Sequence, residues 1–154
     1  MKQIKLNGKY GSGKFALVDD EDFDLINSFN WYLSGAYPVR SLGKRPNRTK
    51  ISMHRFLMNT PINKVTDHIN GNGLDNRKSN LRICSISENT INSKKSANKS
   101  SKYKGVCRLT AKPWRAYIGK KVLGSFATEI EAAKAYDIAA KELYGKFARL
   151  NFIQ

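Results

Sequence analysis

Asp67 and His68 stand side by side in this chain, with Asn80, Arg82 and Asn89 downstream, and these residues are the ones best suited to chemistry. An imidazole with an ordinary pKa near ~6.5 takes a proton from water at neutral pH. Carboxylate and amide oxygens such as those of Asp67 and Asn89 suit a hard divalent cation. Hydrolysis of a phosphodiester demands both, an activated water and positive charge to offset what develops on the phosphate and the leaving oxygen. Arg82 alternates with Leu81 and Ile83 and is expected to project away from them, toward phosphate. Asn70, Asn72, Asp75 and Asn76 are expected to be turn formers, since short polar side chains bond their own backbone. His54, beside an apolar run, reads as a packed or surface residue.

The elements that must hold these groups are short. Residues 65–85 run from an apolar start through a turn-rich loop to a second apolar run, which predicts strand, loop, strand. Ser85-Ile-Ser-Glu88 is a capping box, so a helix should begin there and carry Asn89, giving a ββα unit. Neighbours on a regular strand face opposite ways, so Asp67 and His68 share a site only if the strand ends or becomes irregular there. Upstream, strands are expected over 3–6, 15–18, 37–39 and 51–53, with a helix over 21–29. The acidic cluster at Asp19, Asp20, Glu21, Asp22 and Asp24 is expected to complement the positive end of that helix. Arg45 and Arg48 lie in a basic loop over 40–50 suited to phosphate contact.

Charge narrows the partner. The 154 residues hold 28 Lys and Arg against 12 Asp and Glu, a net charge of +16. Exposed cations gain affinity for nucleic acid by releasing its counterions, so a polyanion is the default partner. Between Asn89 and Thr128 lie Lys94, Lys95, Lys99, Lys102, Lys104, Arg108, Lys112, Arg115, Lys120 and Lys121, with no acidic residue. Residues 92–102, rich in Ser, Asn and Lys, read as a basic linker. No run approaches the ~18 apolar residues of a membrane span, and a soluble protein that is not secreted is expected. Cys84 and Cys107 make no disulfide framework and are expected to be reduced core thiols.

Asp67-His68, the Asn70-Gly71-Asn72 turn, Leu74 to Arg77, Asn80-Leu81-Arg82 and Asn89 resemble the HNH endonucleases, in particular phage and intron homing enzymes. The resemblance covers about 53–92. It implies a ββα-metal (His-Me finger) nuclease in which His68 is the general base, Asp67 and Asn89 bind the metal, and Asn80 tethers the loop that orients the histidine. With asparagine as the last motif residue, the resemblance favours Mg²⁺, or another divalent ion such as Mn²⁺, over zinc. It also implies work inside a bacterial host, in cytoplasm or nucleoid.

Beyond Tyr103 the pattern predicts three strands and a helix. Trp114, Ala116 and Ile118 alternate with Arg115, Tyr117 and Gly119, Lys120-Lys121 suggests a turn, and Thr128-Glu-Ile-Glu131 is a capping box opening a helix that stops at Gly145. Ile130, Ala133, Tyr136, Ala140 and Leu143 are its expected core stripe. Tyr103 to Val106, Trp114 to Ile118, Leu123 to Phe126, Ala132 to Ala140 and Leu150 to Phe152 resemble the ethylene-response-factor (AP-two) type DNA-binding domain. That family lays a three-stranded antiparallel sheet into the major groove, which places Lys104, Cys107, Leu109, Tyr117 and Gly119 on the contact face, with Arg108, Lys112 and Arg115 beside them.

The expectation is therefore an α+β chain: a nuclease domain over 1–92, a linker over 93–102, and a sheet-type DNA-binding domain over 103–154. Its partner would be double-stranded DNA, cut by nicking, with a monomer favoured for a short chain with one site. A DNA-binding regulator with an inactive nuclease scaffold is the rival reading; an RNA-binding protein shares the charge but lacks an evident stacking platform.

Overall fold

A computed structural model describes residues 1–44, 46–93, 100–108 and 113–152. Arg45, Lys94, Lys95, Lys99, Leu109 and Lys112 lie outside them, as does most of the expected linker. The fold is α+β, and the chain divides into two compact units, Met1–Asn89 and Thr90–Gln154.

In the first unit β1 (Lys2–Lys5) pairs antiparallel with β2 (Phe15–Val18). After a 3-10 turn at Asp20–Asp22 comes α1 (Phe23–Asn27), then β3 (Tyr32–Ser34), β4 (Tyr37–Leu42) and β5 (Thr49–Ser52) in one antiparallel sheet. The chain then enters α2 (Met53–Leu57) where a strand end was expected. Met53, Phe56 and Leu57, at i, i+3 and i+4, all pack on the core formed by Ile4, Leu6, Ala16, Val18, Ile26 and Trp31, and burial of that stripe favours helix over strand. β6 (Val65–His68) and β7 (Leu81–Cys84) form a two-stranded ribbon. The helix α3 (Ile86–Ile91) follows; Ser85 N–H donates to Glu88 Oε2 at 2.7 Å and Glu88 N–H to Ser85 Oγ at 3.2 Å, the capping box read from sequence.

The acidic cluster lies in the first turns of the 3-10 segment and α1, as expected, and also does something more. The Lys78 ammonium donates to Glu21 at 2.8 Å and Asp22 at 2.9 Å, and its backbone N–H donates to Asp19 Oδ2 at 2.7 Å. These carboxylates thus grip the turn that leads into β7, and α1 is too short to offer much of a dipole.

In the second unit β8 (Val106–Arg108), β9 (Trp114–Ile118) and β10 (Lys121–Phe126) make an antiparallel sheet with β9 in the centre. Against it packs α4 (Glu129–Tyr144), opened by the Thr128–Glu131 capping box and closed at Gly145, whose φ of 50° suits glycine. Ala132, Ala133, Tyr136 and Ala140 form the buried face, and small alanines let the helix approach the sheet closely. Two expected core residues are exposed instead: Ile130 lies off that face, and Leu143 sits in the last turn. Gly105 is demanded twice over, by its φ of 72° and because a Cβ there would come 1.9 Å from the Tyr136 ring.

Candidate active site

The ribbon register sets Asp67 opposite Arg82 and His68 opposite Leu81. Opposed residues share a face, so Asp67 and Arg82 project on one side and His68 on the other. β6 ends at His68, and the chain turns at once: Gly71 N–H donates to His68 O at 2.8 Å, and Ile69 N–H to Asn80 O at 2.9 Å.

Asp67 is buried, and its Oδ2 accepts from Arg82 Nε at 2.9 Å and Nη2 at 2.6 Å. Arg82 therefore does not project to an open surface for phosphate, as expected from alternation. Its side chain is only 14% exposed, because the residue directly across the ribbon is a buried carboxylate that needs a counter-charge.

His68 is 4% exposed. Its Nε2 lies 3.4 Å from Asn76 Oδ1, the Tyr37 ring stacks on it at 5.6 Å, and the His54 ring meets it edge-on at 4.9 Å. Burial pushes the imidazole below its usual range, against the upward pull of Asn76, Asp67 and Asp75. The ring is thereby kept neutral at pH 7, the form that accepts a proton. His54 is pushed down to about 4, chiefly by burial and then by the nearby His68 and Arg55. Its Nε2 is 3.1 Å from Ser52 Oγ, while its buried Nδ1 has no hydrogen-bond partner among the described residues.

Asn80 knits the intervening loop. Its Oδ1 accepts from Asn70 N–H at 3.0 Å, and its Nδ2 donates to Asp75 O at 2.8 Å and Asn70 Oδ1 at 3.1 Å. Asp75 receives Arg77 through two bonds of 2.7 Å, which hold its carboxyl below the usual range. Asn72 and Leu74 N–H donate to the side chains of Asn70 and Asn72, the local turns expected of them. Asn89 rides on α3 with its residue exposed.

Among the described residues no group of three His, Cys, Asp or Glu could hold a metal. The oxygens of Asp67 and Asn89 still fit a hard cation, since Mg²⁺ takes one or two carboxylates and keeps several waters. Cys84 is buried and its thiol is pushed up by that burial; Cys107 is free and half-buried.

In the second unit the sheet is two-faced. Val106, Ala116 and Ile118 are buried, while Cys107, Arg115 and Tyr117 alternate with them on the opposite face. Arg115 Nε is buried with no hydrogen-bond partner among the described residues. Arg108 lies over the Trp114 ring at 5.6 Å, and Lys120 is exposed in the turn before β10. Lys102 is exposed too. Lys104 is otherwise engaged: its ammonium donates to Ile91 O at 2.5 Å and Ser93 O at 2.7 Å, and burial lowers its pKa. Arg48, in the first unit, is exposed just before β5.

Compared with known proteins, the chain is 33% identical over 155 residues to an uncharacterized HNH endonuclease of Acanthamoeba polyphaga mimivirus, covering 93% of this chain and 78% of that one. The chain belongs to the HNH endonuclease family. It is also 46% identical over 61 residues to dehydration-responsive element-binding protein 2A of Oryza sativa subsp. indica, 36% of this chain and 22% of that protein. A further likeness, 41% over 70 residues, is to an AP2/ERF and B3 domain-containing transcription repressor of Arabidopsis thaliana, 43% of this chain and 19% of that protein. No family model and no solved structure matches.

This HNH chain thus combines a nuclease relative with AP2-like segments. Its loop brings Asn80 to the His68 end of the ribbon, while Asp67 and Arg82 pair on the ribbon's other face. His54 and Tyr37, absent from the sequence-derived set, join them because α2 and β4 carry their rings to His68. The spacing of Met53, Phe56 and Leu57 was the signal that could have placed His54 on a helix.

Proposed function

We propose that this HNH protein is a site-specific, divalent-metal-dependent DNA endonuclease of the homing type, which nicks duplex DNA as a monomer inside its host cell. The observation that carries the reading is His68, buried at the end of β6 with its ring fixed by Tyr37, His54 and Asn76, next in sequence to the Asp67 carboxylate. His68 takes the proton of the attacking water. Asp67 and Asn89 would hold the cation, Mg²⁺ or Mn²⁺, and the charge it would supply is what offsets that developing on the phosphate and leaving oxygen. A carboxylate offers about four lone-pair positions, so Asp67 serves Arg82 and a cation together. Arg82 orients Asp67, and Asn80 keeps the loop closed beneath the imidazole, so that β6, β7 and α3 act as a ββα-metal unit.

The second unit finds the site. Its sheet enters the major groove with Arg115 and Tyr117 foremost. Arg108, Lys102, Lys112 and Lys120, the linker residues Lys94, Lys95 and Lys99, and Arg45 and Arg48 of the first unit contact phosphates, where charge suffices and geometry is forgiving.

The test is supercoiled plasmid incubated with Mg²⁺ or Mn²⁺, which should yield nicked circles with the natural protein and none with His68→Ala, at equal DNA binding. A fully active His68→Ala protein overturns the mechanism. The Asp67–Arg82 ion pair favours a second reading, a DNA-binding regulator on a silent nuclease scaffold. Binding without cleavage across several divalent ions would select it.

A further inference from the structure

Asn76 has no part in the mechanism above, yet it is completely buried in the loop between β6 and β7. Its backbone N–H donates to Leu17 O at 2.8 Å, which anchors it to β2. Its side-chain Nδ2 donates to Gly73 O at 3.4 Å, and Oδ1 lies 3.4 Å from His68 Nε2. With the amide nitrogen facing a carbonyl, the oxygen is the end turned to the imidazole. An amide oxygen only accepts, so the bond requires a proton on Nε2 and puts the lone pair on Nδ1.

The surrounding rings make this a fixed arrangement. A half-turn of the imidazole would put a carbon opposite Asn76, and the ring is stacked against Tyr37 and abutted edge-on by His54. His54 is itself anchored by Ser52 at 3.1 Å. Gly73 lets the holding carbonyl come near: a Cβ there would lie 2.4 Å from Ala36 O and 2.8 Å from the Tyr37 ring. The loop, the start of β4 and the imidazole therefore close on one another only because that position lacks a side chain.

We infer that Asn76 is a positioning residue that sets the tautomer of His68, with Nε2 protonated and Nδ1 the basic nitrogen, while Tyr37 and His54 lock the plane of the ring. The inference deepens the reading of His68 as general base, but the tautomer is observable without cleavage. An imidazole held in the wrong tautomer presents N–H where a lone pair is needed, and the proton transfer fails.

The experiment is long-range ¹H–¹⁵N correlation on the full chain, metal-free, with ¹⁵N-labelled histidine at neutral pH. The chain has two histidines, so His54→Gln assigns the signals by removing one set. Expected for His68 is a protonated Nε2 and an unprotonated Nδ1; a protonated Nδ1, or averaging over both tautomers, overturns the inference. Asn76→Asp, which keeps an acceptor, should retain the tautomer. Asn76→Leu should lose the preference and slow single-turnover cleavage about 10- to 100-fold, the usual cost of losing such a supporting partner, with DNA affinity unchanged. An unaltered tautomer and rate in Asn76→Leu also overturns it. If the natural protein cuts under no divalent ion, the nuclease reading fails while the ring assignment is still decided by the spectrum.

Discussion

The two units bury opposite kinds of residue around their working parts. In the ribbon and loop of the first, the buried groups include Asp67, His68, Asp75, Asn76 and Asn80, held together by side-chain hydrogen bonds. In the second, α4 meets the sheet through Ala132, Ala133, Ala140 and Ala116, and the polar side chains sit at the far face and the rim. A buried polar network is cooperative, because removing one member leaves its partners unsatisfied in a low dielectric. A rim of charges contributes piecemeal. Chemistry that needs one imidazole in one orientation is suited to the first, and adhesion to a long polyanion to the second.

The comparison breaks first at His68. Its replacement by alanine should lower cleavage by a factor on the order of 10²–10⁴, the usual share of a general base, with DNA affinity held in a gel-shift titration. Next is Gly105→Ala, which meets the Tyr136 ring and a left-handed φ, and should destabilise by about 3 kcal/mol or more. Each unit carries one tryptophan, Trp31 in the first and Trp114 in the second, so urea unfolding should show the Trp114 transition moving and the Trp31 transition staying.

Acid should separate the units in the other direction. The folded-state pKa of His54 is depressed to about 4, so the unfolded chain binds the proton more readily. Stability is then fully present above the ordinary histidine pKa and falls as pH drops from ~6.5 toward 4, by on the order of 2–3 kcal/mol. Unfolding followed by Trp31 should show that slope, and His54→Phe should flatten it. Asn80→Ala opens the loop network and should cost about 2 kcal/mol by thermal melting. The smallest effect is Arg115→Ala, about 1 kcal/mol in DNA affinity, read as a weaker complex by fluorescence anisotropy.

Part of this design is legible in the chain. The capping boxes at Ser85–Glu88 and Thr128–Glu131, the strands around Asp67 and Arg82, the alternation in Trp114–Ile118 and the stop at Gly145 all follow from near neighbours. Other features depend on residues far apart. Lys78 is bound by Asp19, 59 positions away, so a cluster that looks like helix-dipole compensation becomes a clamp on the loop. Arg82 alternates away from Leu81 as expected, yet what waits on that side is Asp67, known only once the register is known.

Sequence alone therefore determined the residue types, the turns and the caps, because these are decided within a few positions by backbone hydrogen bonding and side-chain size. It also determined the basic charge that makes a polyanion the default expectation for a partner. Tertiary structure alone decided that Tyr37, His54 and Asn76 converge on His68 and that the imidazole is shielded enough to stay neutral. The physical reason is that desolvation and ring contact are properties of a packed neighbourhood, and that neighbourhood exists only after β4, α2 and the loop have been brought together by the core beneath them.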